Sequence, residues 1–198
     1  MATQAMCQPA NYGADIIIYS TTKFLSGHGN AMGGCVVDTG KFDWANNRGF
    51  EKLNEPDTSY HGIKFYETFG NLAYINFCHA CALRDLGTTM SPFNAYLTLT
   101  GIETLNLRMQ KHMSNAEKVA NFLIKHNNVD NVSWSGFQNN KSYKLAKKYF
   151  KFGFGSVFTF SVKSGYDGAK KVVENCNLFS HLANVGDTKS LIIHPAST

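Results

Sequence analysis

The chain has 198 residues, enough to bury a substantial core as one ordinary domain or two small ones. Hydrophobic residues make up 43% and charged residues 17%, a balance that excludes an intrinsically disordered chain. The formal net charge of +5 mildly favours acidic partners but is far from that of a dedicated nucleic-acid binder, so we expect no nucleic-acid partner.

Membrane and metal sites are not expected either. No apolar run approaches the length of a membrane span, and no basic stretch followed by an apolar one opens the chain, so we expect a cytoplasmic protein. Five cysteines without a framework-like spacing fit a reducing compartment. Cys78 and Cys81 form a C-x-x-C pair on a predicted helix, but no second pair completes a zinc site, and buried thiols are the expectation.

The predicted elements begin with two short apolar strands of the kind found in parallel sheets, at residues 16–19 and 35–38. A long excursion without a clean period follows over residues 39–70. Helical patterns then cover residues 72–86 and, starting with Pro92 at the first helical position, continue to about residue 126. Gly101 is the expected break in that second helical stretch.

The last third of the chain continues the alternation. It contains V-x-x-V-x-W at residues 129–134, a lysine-rich helix whose lysines form a solvated face, a strand at 156–162, a helix at 167–175 and an apolar stretch at 191–193. Strands alternating with helices predict an α/β fold, with a domain boundary near residues 101–112.

A single lysine follows the first predicted strand, in the segment ADIIIYSTTKFLSGHGNAMGG at residues 14–34. A lysine after a strand is most often a surface residue, but here Ser20 and Thr22 supply hydroxyls next to Lys23, and a glycine-rich loop follows. α/β folds bind ligands at the carboxyl ends of parallel strands. The order is not that of a Walker loop; a lysine that forms a Schiff base with an aldehyde cofactor, whose phosphate the hydroxyls hold, fits better.

Three blocks of sequence resemble the pyridoxal-phosphate enzymes of cysteine and methionine metabolism. STTKFLSGHG resembles their cofactor-lysine segment, residues 84–123 their domain-linking helices, and LFSHLANVGDTKSLIIHPAST at 178–198 their substrate-side segment. The resemblance spans nearly the whole chain. It implies part of a fold-type I pyridoxal-phosphate-dependent transferase: the C-terminal part of the cofactor-binding domain at residues 1–103, and an incomplete C-terminal α/β domain at residues 104–198.

The resemblance also implies roles for individual residues. Lys23 would be the Schiff-base lysine of pyridoxal 5'-phosphate and the proton shuttle, with Ser20 and Thr22 on the cofactor phosphate and Asn184 beside the substrate carboxylate. His28 would shape the loop. Ser26 stands where the family usually has glycine, which leaves the loop geometry open if that position requires a positive φ.

The family's other site groups would fall outside this sequence. An aspartate for the pyridine nitrogen would precede Met1, and an arginine for the substrate carboxylate would follow Thr198. We therefore expect an interior segment of a longer enzyme that is not active in isolation.

The excursion, with FDW and EPDTSYHG, and NVGDTKSL are most similar to the O-acetylhomoserine sulfhydrylase branch of the family. That branch implies conversion of O-acetyl-L-homoserine and sulfide, or a small thiol, to homocysteine and acetate by a homo-oligomer. Two alternatives stay open: a cystathionine γ-synthase or γ-lyase, and a non-catalytic fragment or pseudoenzyme.

Overall fold

The computed structural model describes residues 3–197 and divides into two compact units. The first unit contains the residues up to Gln8, the segment Ser20–Gly33 and the chain from Phe93 onward. The second contains Pro9–Tyr19 and Gly34–Pro92. Each unit has its own cluster of buried side chains.

The first two predicted strands are present as β1 (Ile16–Ser20) and β2 (Gly34–Asp38), which pair with each other. Hydrogen bonds beyond their ends run from the Thr21 amide to the Gly33 carbonyl and from the Thr39 amide to the Asp15 carbonyl. The end of one strand therefore lies beside the start of the other, which is antiparallel pairing. The expectation of parallel strands is wrong for this pair, because a loop rather than a crossover helix connects them.

The second unit is otherwise helical. The predicted excursion and the helix after it contain four short helices joined by 3₁₀ and π turns: α1 (Glu51–Asn54), α2 (Phe65–Phe69), α3 (Ala73–Phe77) and α4 (Arg84–Leu86). Their core is a buried cluster of Trp44, Leu53, Phe65, Ala73 and Cys81. The indole of Trp44 donates a hydrogen bond to the Asn71 carbonyl at 3.0 Å, so its polar atom is satisfied inside the apolar cluster.

Two long helices lead into the C-terminal part of the first unit. α5 (Pro92–Glu103) begins at the predicted proline, and α6 (Leu105–Leu123) follows directly. The break lies at Thr104, so the prediction of a break at Gly101 is wrong. Gly101 is buried within α5, where a Cβ would overlap the backbone of Ser26, and its lack of a side chain serves close packing instead.

Two small sheets and two helices complete this unit. Antiparallel β3 (Val129–Ser133) and β4 (Thr159–Val162) pair with an irregularity near Val129, and β5 (Ser180–His181) pairs in parallel with β6 (Leu191–Ile192). α7 (Tyr143–Tyr149) and α8 (Gly165–Glu174) flank β4 in the sequence. β4 starts later than predicted because its partner strand ends at Ser133, opposite Thr159.

One buried cluster of the first unit consists of Ala120, Val132 and Trp134. Phe154 and Phe160 are among the partly buried rings that pack against it. Among the described residues, no helix is both long and apolar enough to span a bilayer.

Replacing Phe65 by alanine should lower the free energy of unfolding by about 3–5 kcal/mol. The side chain is 0% exposed within the Trp44 cluster, so the change removes buried contacts and leaves a cavity. Phe65→Leu keeps most of the volume and should cost less than half as much. Urea unfolding, monitored by Trp44 fluorescence in a Trp134→Phe background, measures the free energy of unfolding of both variants. Equal losses of stability in the two variants would show that the Phe65 ring is not packed as described.

Candidate active site

The segment that carries Lys23 is a short turn directly after β1. Residues Thr21–Leu25 form a helical turn that is kinked at Lys23, where φ is −93° and ψ is −131°. The Ser26 amide donates to the Thr21 carbonyl at 3.0 Å, and the Gly27 amide donates to the Lys23 carbonyl at 2.9 Å. These bonds close the turn around the lysine.

Apolar burial anchors the same turn. Phe24 and Leu25 are both 5% exposed, whereas the side chain of Lys23 is half-buried. The turn is therefore held by the two residues after the lysine, and Lys23 itself remains partly exposed. This is the arrangement that a nucleophilic or proton-carrying lysine requires.

The amine of Lys23 is held by a residue far away in the sequence. Its Nζ donates a hydrogen bond to Asn184 Oδ1 at 2.6 Å, across a sequence separation of 161 residues. Two of the four predicted site residues are thus in direct contact. The contact orients the amide of Asn184, because its oxygen faces the cation and its NH₂ group faces elsewhere.

The two predicted hydroxyls differ in their environment. Thr22 Oγ1 accepts from the Gly33 amide at 3.0 Å and donates to the Gly33 carbonyl at 3.3 Å, so this hydroxyl joins the two ends of the glycine-rich loop. Ser20 is exposed, and its side chain does not cap the turn that it precedes. Both hydroxyls lie within three residues of Lys23, and the Thr22 hydroxyl proton is already donated to the Gly33 carbonyl.

The loop that carries Asn184 packs against the lysine turn along the backbone. The Thr188 amide donates to the Gly27 carbonyl at 2.8 Å. Gly186 has φ +83°, and a Cβ there would overlap the backbone of Lys23 and Phe24. The loop therefore reaches the lysine turn only because residue 186 has no side chain.

Ser26 and His28 take structural positions in the loop. Ser26 is fully buried with ordinary right-handed helical angles, φ −73° and ψ −42°, so a serine in place of glycine is accommodated without a positive φ. The ring Nδ1 of His28 lies 2.7 Å from the Ser26 carbonyl while the side chain is otherwise exposed. This contact agrees with the loop-shaping role expected for His28.

Arg108, on α6, is a site residue that the sequence did not reveal. Its guanidinium donates to the carbonyls of Phe24 at 2.8 Å and Leu25 at 3.3 Å, directly after the lysine. It also donates to the Gly101 carbonyl at 2.6 Å and to Thr104 Oγ1 at 3.1 Å. Burial lowers the pKa of this guanidinium from its usual value.

His112 lies one turn further along α6 and contacts the same turn. Its ring meets that of Phe24 edge to face, with centroids 5.6 Å apart, and its Nε2 is buried without a hydrogen-bond partner. Burial, and then the charge of Arg108, lower the pKa of His112, while Asp187 opposes them. The lowered pKa of His112 favours its neutral imidazole form.

A sequence signal for Arg108 and His112 exists. The buried positions of α6 recur at helical spacing, at Leu105, Met109, Met113, Ala116 and Ala120. Arg108 and His112 each directly precede one of these positions, so they lie at the border of the buried face. Polar residues at such positions indicate a buried polar contact, which the sequence alone does not identify.

Substituting Gly186→Ala should loosen the contact between the 184–188 loop and the lysine turn. A positive φ costs about 1–2 kcal/mol in an alanine, and the overlap with the turn adds to it. Gly165→Ala is the matched control, since φ is +69° there but nothing lies near the added Cβ. Thermal unfolding and hydrogen exchange at the Thr188 amide compare the Gly186→Ala and Gly165→Ala variants. Equal losses of stability, with an unchanged exchange rate at Thr188, would contradict the close approach of Gly186 to the lysine turn.

Known proteins of similar sequence cover this chain from end to end. It is 50% identical over 194 residues to a homocysteine synthase of Schizosaccharomyces pombe, covering 98% of the chain and 45% of the relative. It is 48% identical over 207 residues to an O-acetyl-L-homoserine sulfhydrylase of Leptospira meyeri, covering 100% and 47%. The chain spans less than half the length of these curated relatives.

Solved structures agree with the sequence relatives. A putative O-acetylhomoserine (thiol)-lyase of Campylobacter jejuni, containing a pyridoxyl-lysine phosphate, has a TM-score of 0.93 and 40% identity, over 100% of the chain and 47% of that protein. A cystathionine γ-synthase of Xanthomonas oryzae has a TM-score of 0.75 and 29% identity, over 99% and 42%. The fold is therefore part of a fold-type I pyridoxal-phosphate enzyme. The family profile of Cys/Met metabolism PLP-dependent enzymes matches residues 1–198, and the chain belongs to that family.

Proposed function

We propose that this chain is the lysine-bearing part of a longer pyridoxal-phosphate enzyme that converts O-acetyl-L-homoserine and sulfide, or a small thiol, to homocysteine and acetate. The observation that carries the proposal is the half-buried amine of Lys23, presented at the end of β1 and held by Asn184 at 2.6 Å. High identity to a homocysteine synthase and an O-acetyl-L-homoserine sulfhydrylase supports this reaction.

The residues around the lysine suit an anionic aldehyde cofactor. Lys23 supplies the primary amine for covalent attachment, and the hydroxyls of Ser20 and Thr22 supply donors for the phosphate. Thr22 Oγ1 accepts from the Gly33 amide and donates to the Gly33 carbonyl at 3.3 Å, so its proton would turn from that carbonyl to a bound phosphate. When bound, the cofactor withdraws electrons from the substrate and makes its carbon-bound hydrogens acidic.

The chain's own contribution to the reaction is proton transfer. Acetate leaves from Cγ and sulfide takes its place, so protons must leave Cα and Cβ and later return. Because these carbons are neighbours, the single Nζ of Lys23 can serve both. Asn184, whose oxygen faces the lysine, has its NH₂ group left to donate to the substrate carboxylate.

The similarity to the cystathionine γ-synthase of Xanthomonas oryzae makes that reaction the second candidate. It would use the same lysine and differ in the thiol that adds. The higher TM-score of the thiol-lyase structure, 0.93 against 0.75, favours sulfide or a small thiol.

We further propose a domain boundary between residues 103 and 104, a homo-oligomeric assembly and a cytosolic location. Helix α5 ends at Glu103, and α6 begins at Leu105.

Apolar side chains are exposed on β1 and α5, with Ile18 at 75% and Phe93 at 68%. Such surfaces require cover from further chain or a second subunit. The five free cysteines suit a reducing compartment.

The full-length protein should form homocysteine from O-acetylhomoserine and sulfide, and Lys23→Ala should lower kcat/KM by several orders of magnitude. Both proton transfers and the covalent attachment lose their group in this variant. Homocysteine release measures the rate, and borohydride reduction followed by peptide mapping should place the pyridoxyl group on Lys23. Lys189→Ala, an exposed lysine near Asn184 in the sequence, is the control and should retain activity.

Three outcomes would each contradict one part of the proposal. A pyridoxyl label on another lysine would exclude Lys23. Cystathionine formation from O-acetylhomoserine and added cysteine, with no homocysteine from sulfide, would favour the second candidate. The 198-residue chain alone should be inactive, so activity close to that of the full-length protein would contradict its role as a part of the enzyme.

Replacing Ser20 and Thr22 together by alanine should weaken cofactor binding in the full-length protein. Each lost hydrogen bond to the charged phosphate costs about 1.5–3 kcal/mol. Equilibrium titration with pyridoxal phosphate, read from its absorption band, measures the affinity. Thr21→Ser, a buried neighbour that keeps its hydroxyl, is the control; a double variant that binds the cofactor as tightly as the parent protein would exclude this role.

A further inference from the structure

The two carbonyls after Lys23 belong to a turn too short to satisfy them. The carbonyls at the end of a helical turn have no partner within it and are bonded by other groups. In this turn the carbonyls of Phe24 and Leu25 both accept from the guanidinium of Arg108, at 2.8 and 3.3 Å. The backbone next to the lysine thus depends on one side chain of α6.

Arg108 is itself held at a fixed position. Its Nε donates to Thr104 Oγ1 at 3.1 Å, and its Nη2 donates to the Gly101 carbonyl at 2.6 Å. Both acceptors lie where α5 passes into α6. All three guanidinium nitrogens therefore make hydrogen bonds, and the planar fork joins the helix junction to the lysine turn.

The acceptors around residue 108 match the donor geometry of an arginine side chain. The ion pairs found among the described residues involve other side chains, and the partners of Arg108 are carbonyls and a hydroxyl. A lysine ammonium is a single compact donor centre and cannot reach these separate acceptors with one fixed geometry. A charge that is partly desolvated without a carboxylate partner is costly, which indicates that its donor geometry is what matters.

The helix junction also touches the turn through its backbone. Gly101 is buried, and a Cβ at this position would overlap the carbonyl of Ser26. The Arg108 contacts and this close approach act on consecutive residues of the lysine segment, from Phe24 to Ser26. A displacement of Arg108 would therefore shift the segment from which the lysine side chain extends.

We propose that Arg108 is a positioning residue for Lys23, which sets the location of the lysine amine by holding the carbonyls of Phe24 and Leu25. This inference rests on the proposed function for its effect on rate, but its structural part does not. Misplacing a catalytic group by about 1 Å can cost roughly a hundredfold in rate. The role belongs to kcat rather than to substrate binding, since Arg108 acts through the backbone of the turn.

The first test uses hydrogen exchange in the cofactor-free full-length protein. Arg108→Ala should speed exchange at the Ser26 and Gly27 amides, which close the turn, at least about tenfold. Exchange in β3 and β4 should not change. Exchange at Ser26 and Gly27 as slow as in the parent protein would overturn the proposal without touching the proposed function.

The second test uses the full-length enzyme with its cofactor bound. Arg108→Ala should lower kcat about 10- to 100-fold with little change in KM, and Arg108→Lys should recover only part of the loss. Guanidinium at millimolar concentration should restore rate to Arg108→Ala in a saturable manner, whereas ammonium should not. Arg48→Ala, at an exposed arginine of the second unit, is the control for loss of a positive charge.

A milder variant keeps the proposal testable if Arg108→Ala does not fold. Thr104→Val leaves Arg108 in place and removes its Nε contact, together with the bond from the Thr104 hydroxyl to the Gly101 carbonyl, so a smaller change in the same two measurements is expected. A rise in KM with constant kcat, or equal rescue by ammonium and guanidinium, would overturn the proposal. A parent protein that makes no homocysteine would reject the proposed function, while the exchange test would still decide the structural part.

Discussion

The candidate site depends on how one short turn satisfies its backbone. The turn Thr21–Leu25 places Lys23 at the end of a strand, but it is too short to bond its own last carbonyls. The carbonyls of Phe24 and Leu25 accept from the guanidinium of Arg108, and the carbonyl of Gly27, two residues after the turn, accepts from the amide of Thr188. A mobile side chain such as lysine gains a defined location only when the backbone that carries it is held in this way.

Close approach of backbones explains why two glycines matter here. Gly186 brings the Asn184 loop onto the lysine turn, and Gly101 brings α5 against Ser26. In both places an added Cβ would overlap main-chain atoms, which cannot move aside as a flexible side chain can. The contact between Lys23 and Asn184 is thus a product of backbone packing as much as of the two side chains.

The exposed apolar elements are consistent with the share of the relatives that the chain covers. β1 is an apolar run that would normally be buried on both faces, yet Ile18 is largely exposed. α5 exposes Phe93, Tyr96 and Leu99 together. Curated relatives such as the homocysteine synthase are more than twice as long as the matched region, and exposed apolar surfaces of this kind mark interaction sites.

Local sequence determined the elements and the lysine segment of this protein. The apolar run before Ser20, the proline at the start of α5 and the hydroxyls beside Lys23 are signals that lie within a few residues of what they specify. The tertiary structure alone decided that β1 and β2 pair antiparallel, that the helix break lies at Thr104, and that Arg108 bonds the lysine turn. The Arg108 contact joins residues 84 apart in the sequence, and periodicity over a short window carries no information about such contacts or about the direction in which strands pair.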